Sequence, residues 1–304
     1  MRAPTPAEIQ LAEGLLPGPA WHDGVVEEGG QFHLVLVADG EAVLRMARNA
    51  AAAAELPRRT ALADALAPLL PYRVPRSLTP VWQAEDRHVA DPGAAVSARP
   101  GASRPASTPP VPAAVVQEFV PGRAHEPHRG DPAALRDVVE CLAGIDVEPL
   151  RPLLARPFAY RGPWTARKRA AAVAALPEAA APSAEAVLAR IEAFADVPGG
   201  LVHGDLAGHN MHWDGDRLLG ILDWDLAADW DPALNAAYLG MWHGKELVPL
   251  IAADRDEARR AAVWDGAMAL EAVYNASLRS DRPNWARLYR KTLPRIEAAA
   301  LAAR

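Results

Sequence analysis

The feature that most constrains the fold is a change of pattern at Pro121-Gly122. Before this dipeptide, short apolar and β-branched runs alternate with glycine-containing turns, a pattern typical of antiparallel strands. After it, long segments place apolar residues at helical spacing. Strands gathered in one part of a chain and helices in the other are typical of the α+β class. We therefore predict two lobes, a sheet lobe over residues 1–121 and a larger helical lobe over residues 122–304.

The N-terminal part is predicted to be a small sheet flanked by helices. The strands cover residues 21–27, 32–37, 42–46 and 115–120, and the helices cover 7–16 and 50–70. Asp39-Gly40 suits a two-residue hairpin, and Pro57 must lie in a first helical turn or kink the second helix. Residues 83–113 are rich in Pro, Ala, Ser and Arg without periodicity. We expect a long exposed loop there, which proteases should cut first.

The C-terminal part is predicted to be mostly helical. Asp131-Pro132 begins one helix as cap and first residue, and Ser183 is expected to cap another. Long amphipathic segments follow over residues 232–243, 256–280 and 283–302. Residues 201–227 interrupt them with short strands and polar loops, and they contain most of the chemically reactive residues.

Composition excludes several classes of protein. A net charge of −6 argues against a nucleic-acid binder, which usually presents a basic face. Cys141 is the single cysteine, so the chain can form no internal disulfide, and the reducing cytoplasm is the expected location. No apolar run is long enough for a membrane helix. We expect a monomer or homodimer whose partners are small molecules, without nucleic-acid or membrane partners.

One constellation of polar residues indicates phosphoryl transfer. The chain reads LVHGDLAGHN over residues 201–210 and GILDW over residues 220–224. Asp205 follows an apolar strand on a loop, where it can accept a proton from a hydroxyl. Asn210 and Asp223 supply the hard oxygen ligands that Mg²⁺ prefers. Phosphoryl transfer needs little more from a protein than in-line positioning and neutralisation of phosphate charge.

These residues resemble the aminoglycoside and macrolide phosphotransferase family, whose members are antibiotic and small-metabolite kinases with the protein-kinase fold. HGDLAGHN with GILDWDLAADWDP carries the resemblance most strongly, and the segments GQFH at 30–33 and VLRM at 43–46 add to it. The similarity extends from about Glu27 to Leu239. It implies a two-lobed fold, with a nucleotide between an N-terminal sheet and a helical C-terminal lobe.

The resemblance also implies roles for individual residues. Asp205 would be the catalytic base, and Asn210 and Asp223 would bind Mg²⁺. The turn at Gly29 and Gly30 would cover the phosphates of ATP or GTP. The hinge that pairs with the purine through backbone groups would be formed by Gln117, Glu118, Phe119 and Val120.

Two positions depart from the family pattern. Arg45 stands where most kinases have a lysine that binds phosphates, and no lysine precedes Lys168. An arginine can bridge phosphate oxygens with two donors, so the role is assigned to Arg45. Arg59 stands where the family usually has a glutamate, which leaves Glu55, one turn earlier, as the local acidic candidate.

The acceptor is predicted to be a small natural product. Gly204 replaces the arginine of protein kinases, and the short interval between Asp223 and Asp231 leaves no room for an activation loop. Asp225, Trp230 and Trp242 are candidate substrate contacts. Residues 232–304 carry eight acidic and eleven basic side chains together with several aromatic ones. This balance favours a macrolide or nucleoside antibiotic over a polycationic aminoglycoside.

Two other functions stay open at this point. One is a metabolic kinase for a sugar, amino sugar or amino alcohol. The other is a pseudokinase that binds nucleotide without turnover, for which Arg45 and Arg59 are the only support. Retention of Asp205, Asn210 and Asp223 argues for an active enzyme.

Overall fold

A computed structural model describes residues 1–84, 111–159, 162–280 and 283–303. The chain divides into two compact units. The first contains Met1–Pro121 and Gly220–Leu222, and the second contains Gly122–Leu219 and Asp223–Arg304. Within the described residues, no helix combines the length and the apolar character that crossing a membrane requires.

The first unit contains a five-stranded antiparallel sheet in the order β1-β2-β3-β5-β4. Its strands are β1 (Val25–Glu27), β2 (His33–Ala38), β3 (Ala42–Ala47), β4 (Trp82–Gln83) and β5 (Ala113–Glu118), and its helices are α1 (Pro6–Leu15) and α2 (Ala50–Leu66). The fully buried side chains of Trp21, Leu36, Leu44 and Met46 form one core cluster with α1. Burial of a side chain of this size contributes about 1.5–3 kcal/mol. The predicted α+β class is confirmed.

The boundaries of several predicted elements were wrong in this unit. Residues 21–23 form a 3-10 turn in place of the predicted strand, because the buried Trp21 indole donates a hydrogen bond to the Leu16 carbonyl, 2.9 Å away. Pro57 lies inside α2 and not in its first turn, so of the two predicted alternatives only the kink is left. Gln83 and Ala113 pair with each other as strand residues, so the predicted loop is too long at both ends. Most of the predicted insertion, residues 85–110, lies outside the described residues.

The turn between β2 and β3 is one residue longer than predicted. Ala38 pairs with Ala42, so Asp39, Gly40 and Glu41 form the connection. Gly40 has a φ of 76°, which a three-residue hairpin favours at such a position. The extra residue shifts the register by one position, and this decides which side chains of β2 and β3 share a face.

The second unit is mainly helical. Its helices are α3 (Pro132–Ala143), α4 (Ala166–Ala174), α5 (Ala181–Ala193), α6 (Ala233–His243), α7 (Val248–Ile251), α8 (Arg255–Ser277) and α9 (Trp285–Ala302). The long helix α8 packs against α5, α6 and α9. The predicted cap at Ser183 was wrong, because α5 begins at Ala181 and Ser183 lies inside it. The predicted start at Asp131-Pro132 is confirmed, since the Asp131 side chain accepts a hydrogen bond from the Ala134 amide.

Two short ladders follow in the C-terminal part of the chain, and the second ends at residues 220–221, which belong to the first unit. Strand β6 (Gly200–Val202) pairs antiparallel with β9 (Ala228–Trp230), and β7 (Met211–Asp214) pairs with β8 (Arg217–Ile221). The loop that follows β6 and the turn that follows β8 contain Asp205, Asn210 and Asp223. The positions of these three side chains therefore depend on the short segments that follow β6 and β8.

Candidate active site

The loop of residues 203–210 begins at a buried histidine. His203 is fully buried, and its backbone N–H donates to the Asn235 side-chain oxygen at 3.1 Å. Asn235, on α6, donates in turn to the Leu201 carbonyl at 2.9 Å. The Asp205 amide donates to His203 Nδ1 at 3.2 Å, and the His203 ring lies 4.5 Å from that of Trp224. These contacts fix the backbone at Asp205 from inside the protein.

The structure brings Asp205 and Asn210 together. Asn210 Nδ2 donates to the Asp205 carbonyl at 2.8 Å and to Asp205 Oδ2 at 3.3 Å. Asn210 is 6% exposed, whereas the Asp205 side chain is 38% exposed. The carboxylate is therefore oriented by Asn210 and still open to a substrate. Because the Asn210 amide nitrogen serves the aspartate, its amide oxygen is the group left for a metal.

Two glycines give the 203–210 loop its shape. Gly204 has a φ of 86°, and a Cβ there would lie 2.4 Å from the Leu226 carbonyl oxygen. A Cβ on Gly208 would lie 1.9 Å from Trp242 Nε1. Neither position accepts a larger residue without movement of its neighbours. The positive φ and the contact with Leu226 explain why position 204 is a glycine, and the sequence alone did not predict them.

Asp223 adopts an unusual backbone conformation after β8. Its φ of 55° and ψ of 63° lie in the left-handed region, which non-glycine residues seldom occupy. Such conformations concentrate at functional sites, where surrounding packing maintains them. The Asp223 side chain is exposed, and the next residue, Trp224, is buried. Asp223 therefore presents its carboxylate to solvent from a fixed backbone.

The three candidate substrate contacts occupy different environments. Asp225 is 6% exposed, so its carboxylate lies inside the protein. Trp242 packs on Gly208, and its indole N–H donates to the His125 carbonyl at 3.1 Å. Trp230 pairs with Gly200, at the end of the β6–β9 ladder opposite to Asp205. Trp242 packs against the 203–210 loop, and Asp225 lies between Trp224 and Leu226, which contact His203 and Gly204, whereas Trp230 lies at the far end of the ladder.

Trp230 lines a cavity of about 540 Å³ within the second unit. Its ring lies 4.4 Å from that of Phe158 and 5.1 Å from that of Trp264, both in edge-to-face geometry. Phe158 has a φ of 61°, a second strained non-glycine position. Asp229 also lines the cavity; its Oδ2 pairs with Arg151 at 2.9 Å, and its buried Oδ1 has no hydrogen-bond partner among the described residues. The cavity therefore combines aromatic walls with an unsatisfied acceptor.

Behind Trp242 lies a cluster of rings that anchors α6. The His125 and Trp213 rings stack at 4.4 Å, and His243 meets His125 edge-on at 5.9 Å. His243 also contacts the Arg129 carbonyl through Nδ1. Burial lowers the pKa of His243, which favours its neutral form at neutral pH. This cluster holds the helix on which Trp242 and Asn235 are carried.

In the first unit, Arg45 and Glu55 have different partners. Arg45 Nη2 lies 3.0 Å from His33 Nδ1 across β2 and β3. Glu55 is exposed and accepts from Arg58 at 2.8 and 2.9 Å on the same helix. Arg59 lies over the Phe32 ring, with its guanidinium carbon 5.3 Å from the ring centre. The sequence alone did not predict His33 as the partner of Arg45.

The predicted hinge segment is partly engaged with the protein itself. Gln117 is 5% exposed and its side chain donates to the Pro75 carbonyl at 2.9 Å. The Glu118 amide donates to the Arg76 carbonyl at 2.8 Å, and the Glu118 side chain pairs with Arg76. The turn residues Gly29 and Gly30 are exposed, and a Cβ on Gly29 would meet nothing within 4 Å.

The side-chain oxygens of Asn210 and Asp223 are of the kind that magnesium prefers. The Asn210 amide oxygen and the Asp223 carboxylate are hard ligands, and Mg²⁺ commonly completes its shell with water and phosphate oxygens. Within the described parts of the chain, no group of three or more His, Cys, Asp or Glu side chains is placed to hold a metal. The donor set fits a metal that arrives with a nucleotide better than one held by protein ligands alone.

Comparisons with known proteins agree with this arrangement of residues. The model of the phosphotransferase enzyme family matches residues 26–270. Viomycin phosphotransferase from Streptomyces vinaceus is 29% identical over 294 residues, which cover 89% of this chain and 93% of that protein. The similarity therefore extends over most of the length of both chains.

Solved structures show the same fold. The GDP complex of aminoglycoside 2'-phosphotransferase-IIIa superposes with a TM-score of 0.67 at 15% identity, covering 96% of this chain and 97% of that one. Macrolide 2'-phosphotransferase from Brachybacterium faecium superposes with a TM-score of 0.58 at 20% identity, covering 98% and 96%. These likenesses confirm the predicted kinase-like fold. The chain belongs to the phosphotransferase enzyme family and is a small-molecule kinase.

Proposed function

We propose that this protein transfers the γ-phosphate of ATP or GTP to a hydroxyl of an antibiotic in the cytoplasm and thereby confers resistance. The observation that carries the proposal is the half-exposed Asp205 carboxylate, held by Asn210 on a loop that follows β6. An acceptor hydroxyl that reaches this carboxylate finds an oriented base. Buried contacts to His203 and Asn235 hold the loop before any substrate binds.

Each polar residue of the site has a separate task. Asp205 accepts the hydrogen bond of the acceptor hydroxyl and takes its proton as the new O–P bond forms, while the bond from the γ-phosphorus to the bridging oxygen breaks and the nucleoside diphosphate leaves. Asn210 orients Asp205 through its amide nitrogen and offers its amide oxygen to Mg²⁺, together with the Asp223 carboxylate. When bound, Mg²⁺ supplies charge neutralisation at the nucleotide phosphates. The left-handed backbone at Asp223 would be maintained by the surrounding packing whether or not the metal is bound.

The nucleotide contacts of the first unit are proposed from Arg45, Gly29, Gly30 and the segment after β5. Arg45 supplies a guanidinium for the phosphate oxygens. The Glu118 amide already serves Arg76, so the purine contacts are assigned to the backbone of Phe119 and Val120. A Cβ added at Gly29 would meet nothing within 4 Å, so there is open space beside the turn.

The acceptor is proposed to be a macrolide or nucleoside antibiotic, or viomycin, the substrate named for a relative of this chain. The aromatic cavity at Trp230 would receive part of the acceptor. Viomycin phosphotransferase matches this chain over most of its length, which supports an antibiotic acceptor over a small metabolite.

A phosphate-transfer screen tests the proposal. Viomycin, macrolides, nucleoside antibiotics, kanamycin, sugars and amino alcohols would each be incubated with ATP and with GTP, and product detected by mass. Asp205→Asn serves as the control enzyme, because it keeps the volume of the side chain and removes the base. We expect transfer to at least one antibiotic that this variant does not perform. A higher kcat/KM for kanamycin than for the other antibiotics would overturn the acceptor assignment alone, whereas transfer only to a sugar or amino alcohol would overturn the antibiotic function.

A further inference from the structure

A histidine on β2 contacts the arginine assigned to the nucleotide phosphates. Arg45 pairs with Val35 and His33 pairs with Ala47, so Arg45 and His33 lie on one face of the sheet as diagonal neighbours. Their side chains meet at 3.0 Å, between Nη2 and Nδ1. His33 is 5% exposed. The contact is therefore made by a buried imidazole and not by a mobile surface ring.

The direction of this hydrogen bond follows from the chemistry of the pair. A guanidinium only donates and is charged at any accessible pH. His33 Nδ1 must therefore accept, which requires a neutral ring with its proton on Nε2. A neutral acceptor orients the guanidinium without contributing a negative charge. The attraction of Arg45 for an anionic ligand is then not reduced by this partner, as it would be by a carboxylate.

The backbone of His33 is held as well. Arg48 Nε donates to the His33 carbonyl at 3.2 Å, and the same guanidinium donates to the Glu28 carbonyl. Arg48 thereby ties together the two ends of the turn that contains Gly29 and Gly30. A Cβ on Gly30 would lie 2.9 Å from the His33 carbonyl oxygen, so the turn closes tightly on His33. The position of His33 is coupled to the shape of the glycine turn.

We propose that His33 is a positioning residue that orients Arg45 for the phosphates of the nucleotide. This inference rests on the proposed function, since it assumes that Arg45 binds phosphate. An arginine side chain that is free to rotate loses rotamer entropy when it binds a ligand. His33 restricts the side chain before binding and so lowers that cost. Glu55, which pairs with Arg58, does not perform this task.

The experiment measures binding of MgATP and MgGTP by calorimetry, without acceptor, to wild type and to variants of both residues. His33→Ala and His33→Leu remove the acceptor atom, and Leu keeps much of the volume. His33→Gln restores an acceptor oxygen. We expect Kd for the better nucleotide to rise about fivefold to tenfold in Ala and Leu and to return within about twofold of wild type in Gln. In turnover assays KM for the nucleotide should rise by the same factor, with a smaller change in kcat.

The double variant separates positioning from a structural role. If His33 acts through Arg45, His33→Leu should weaken binding no further once Arg45→Ala is present. Additive losses in the double variant would overturn the inference, as would wild-type affinity in folded His33→Ala or His33→Leu. Wild-type protein that binds neither nucleotide would overturn the proposed function itself. Loss of binding in Arg45→Ala with unchanged binding in His33→Leu would overturn only the inference.

Discussion

The 203–210 loop and the arginine site on β3 hold their polar groups in different ways. In the loop, backbone groups and glycine packing fix Asp205 through His203, Gly204 and Gly208. On β3, a long side chain is oriented by another side chain, His33. A substitution that disturbs the packing of the loop displaces its backbone and every group on it. Loss of a side-chain partner only lets the Arg45 side chain adopt more conformations. We therefore expect large effects of substitution in the second unit and graded effects in the first.

The largest effect is expected at Asp205. Asp205→Ala should lower kcat by about 10²–10⁴, because it removes the base that takes the hydroxyl proton. Nucleotide affinity should stay within about threefold of wild type, since the carboxylate acts on the acceptor side. Steady-state kinetics with calorimetric nucleotide binding would measure both. Turnover above about a tenth of wild type would show that another group is the base.

The next effect concerns the glycine that packs on Trp242. Gly208→Ala places a methyl group within 1.9 Å of Trp242 Nε1, so either the indole or the loop must move. A displacement of about 1 Å at the reacting groups can cost 10²-fold in rate. We expect kcat to fall at least about tenfold, with partial recovery in the double variant Gly208→Ala, Trp242→Ala, which opens the space.

A matched glycine distinguishes packing from backbone strain. Gly40→Ala introduces a residue at a φ of 76° in the hairpin, where a Cβ would meet nothing within 4 Å. It should cost about 1 kcal/mol of stability and leave kcat unchanged. Equal losses of kcat in Gly208→Ala and Gly40→Ala would contradict the packing argument, because only the first position contacts the candidate active site.

Part of the arrangement of the 203–210 loop was predictable from the sequence. Asp205 and Asn210 belong to one short loop, so their spacing alone placed them together. The contacts of Gly204 and Gly208 depend on Leu226 and Trp242, which come from other elements. Trp230 and Trp242 look alike in the sequence, yet only Trp242 reaches the 203–210 loop. Local chemistry was therefore predictable, and packing between elements was not.

The pair of Arg45 and His33 shows why register matters. A two-residue hairpin at Asp39-Gly40 would pair Arg45 with Leu34 and place His33 on the opposite face. The observed three-residue connection pairs Arg45 with Val35 and brings His33 to the same face. The alternation of residues along β2 could predict the partner of Arg45 only if the number of residues in the turn was known. One more residue in the turn than predicted is enough to change that partner.

A smaller effect is expected at the N-terminal cap of α1. Arg2 donates to both Glu8 oxygens at 2.8 and 2.6 Å, and Thr5 adds a capping box. The hydrogen bonds from Arg2 hold the pKa of Glu8 below its ordinary value of 4.5. A carboxyl with a lowered pKa contributes stability that is present above its unfolded pKa and is lost as the pH falls through the folded one. The cap should therefore weaken below about pH 4.5.

The test compares Glu8→Gln with the exposed Glu13→Gln on the same helix. At pH 7, Glu8→Gln should lower the local stability of residues 6–15 by about 1–2 kcal/mol, measured by hydrogen exchange. The difference from wild type should shrink as the pH falls below about 4.5, because the unfolded chain then binds a proton that folded Glu8, with its lowered pKa, does not. Glu13→Gln should change little at either pH. A difference that grows on acidification would contradict the assigned ion pair.

The smallest effect is expected for substitution of Glu55. This substitution tests directly whether a histidine or a carboxylate orients Arg45 in the first unit. Glu55 pairs with Arg58 on the surface of α2, with 48% of its side chain exposed. A surface pair of this kind contributes about 0.2–1 kcal/mol, and alanine is a favourable helix residue, so Glu55→Ala should be nearly neutral for stability. Calorimetric affinity for MgATP and MgGTP should stay within about twofold of wild type, because the structure gives His33 and not Glu55 the contact with Arg45. Arg58→Ala is the matched control, since it breaks the same pair from the other side. A tenfold loss of nucleotide affinity in Glu55→Ala but not in Arg58→Ala would mean that Glu55 turns toward Arg45 when nucleotide binds, and that the first unit uses a carboxylate after all.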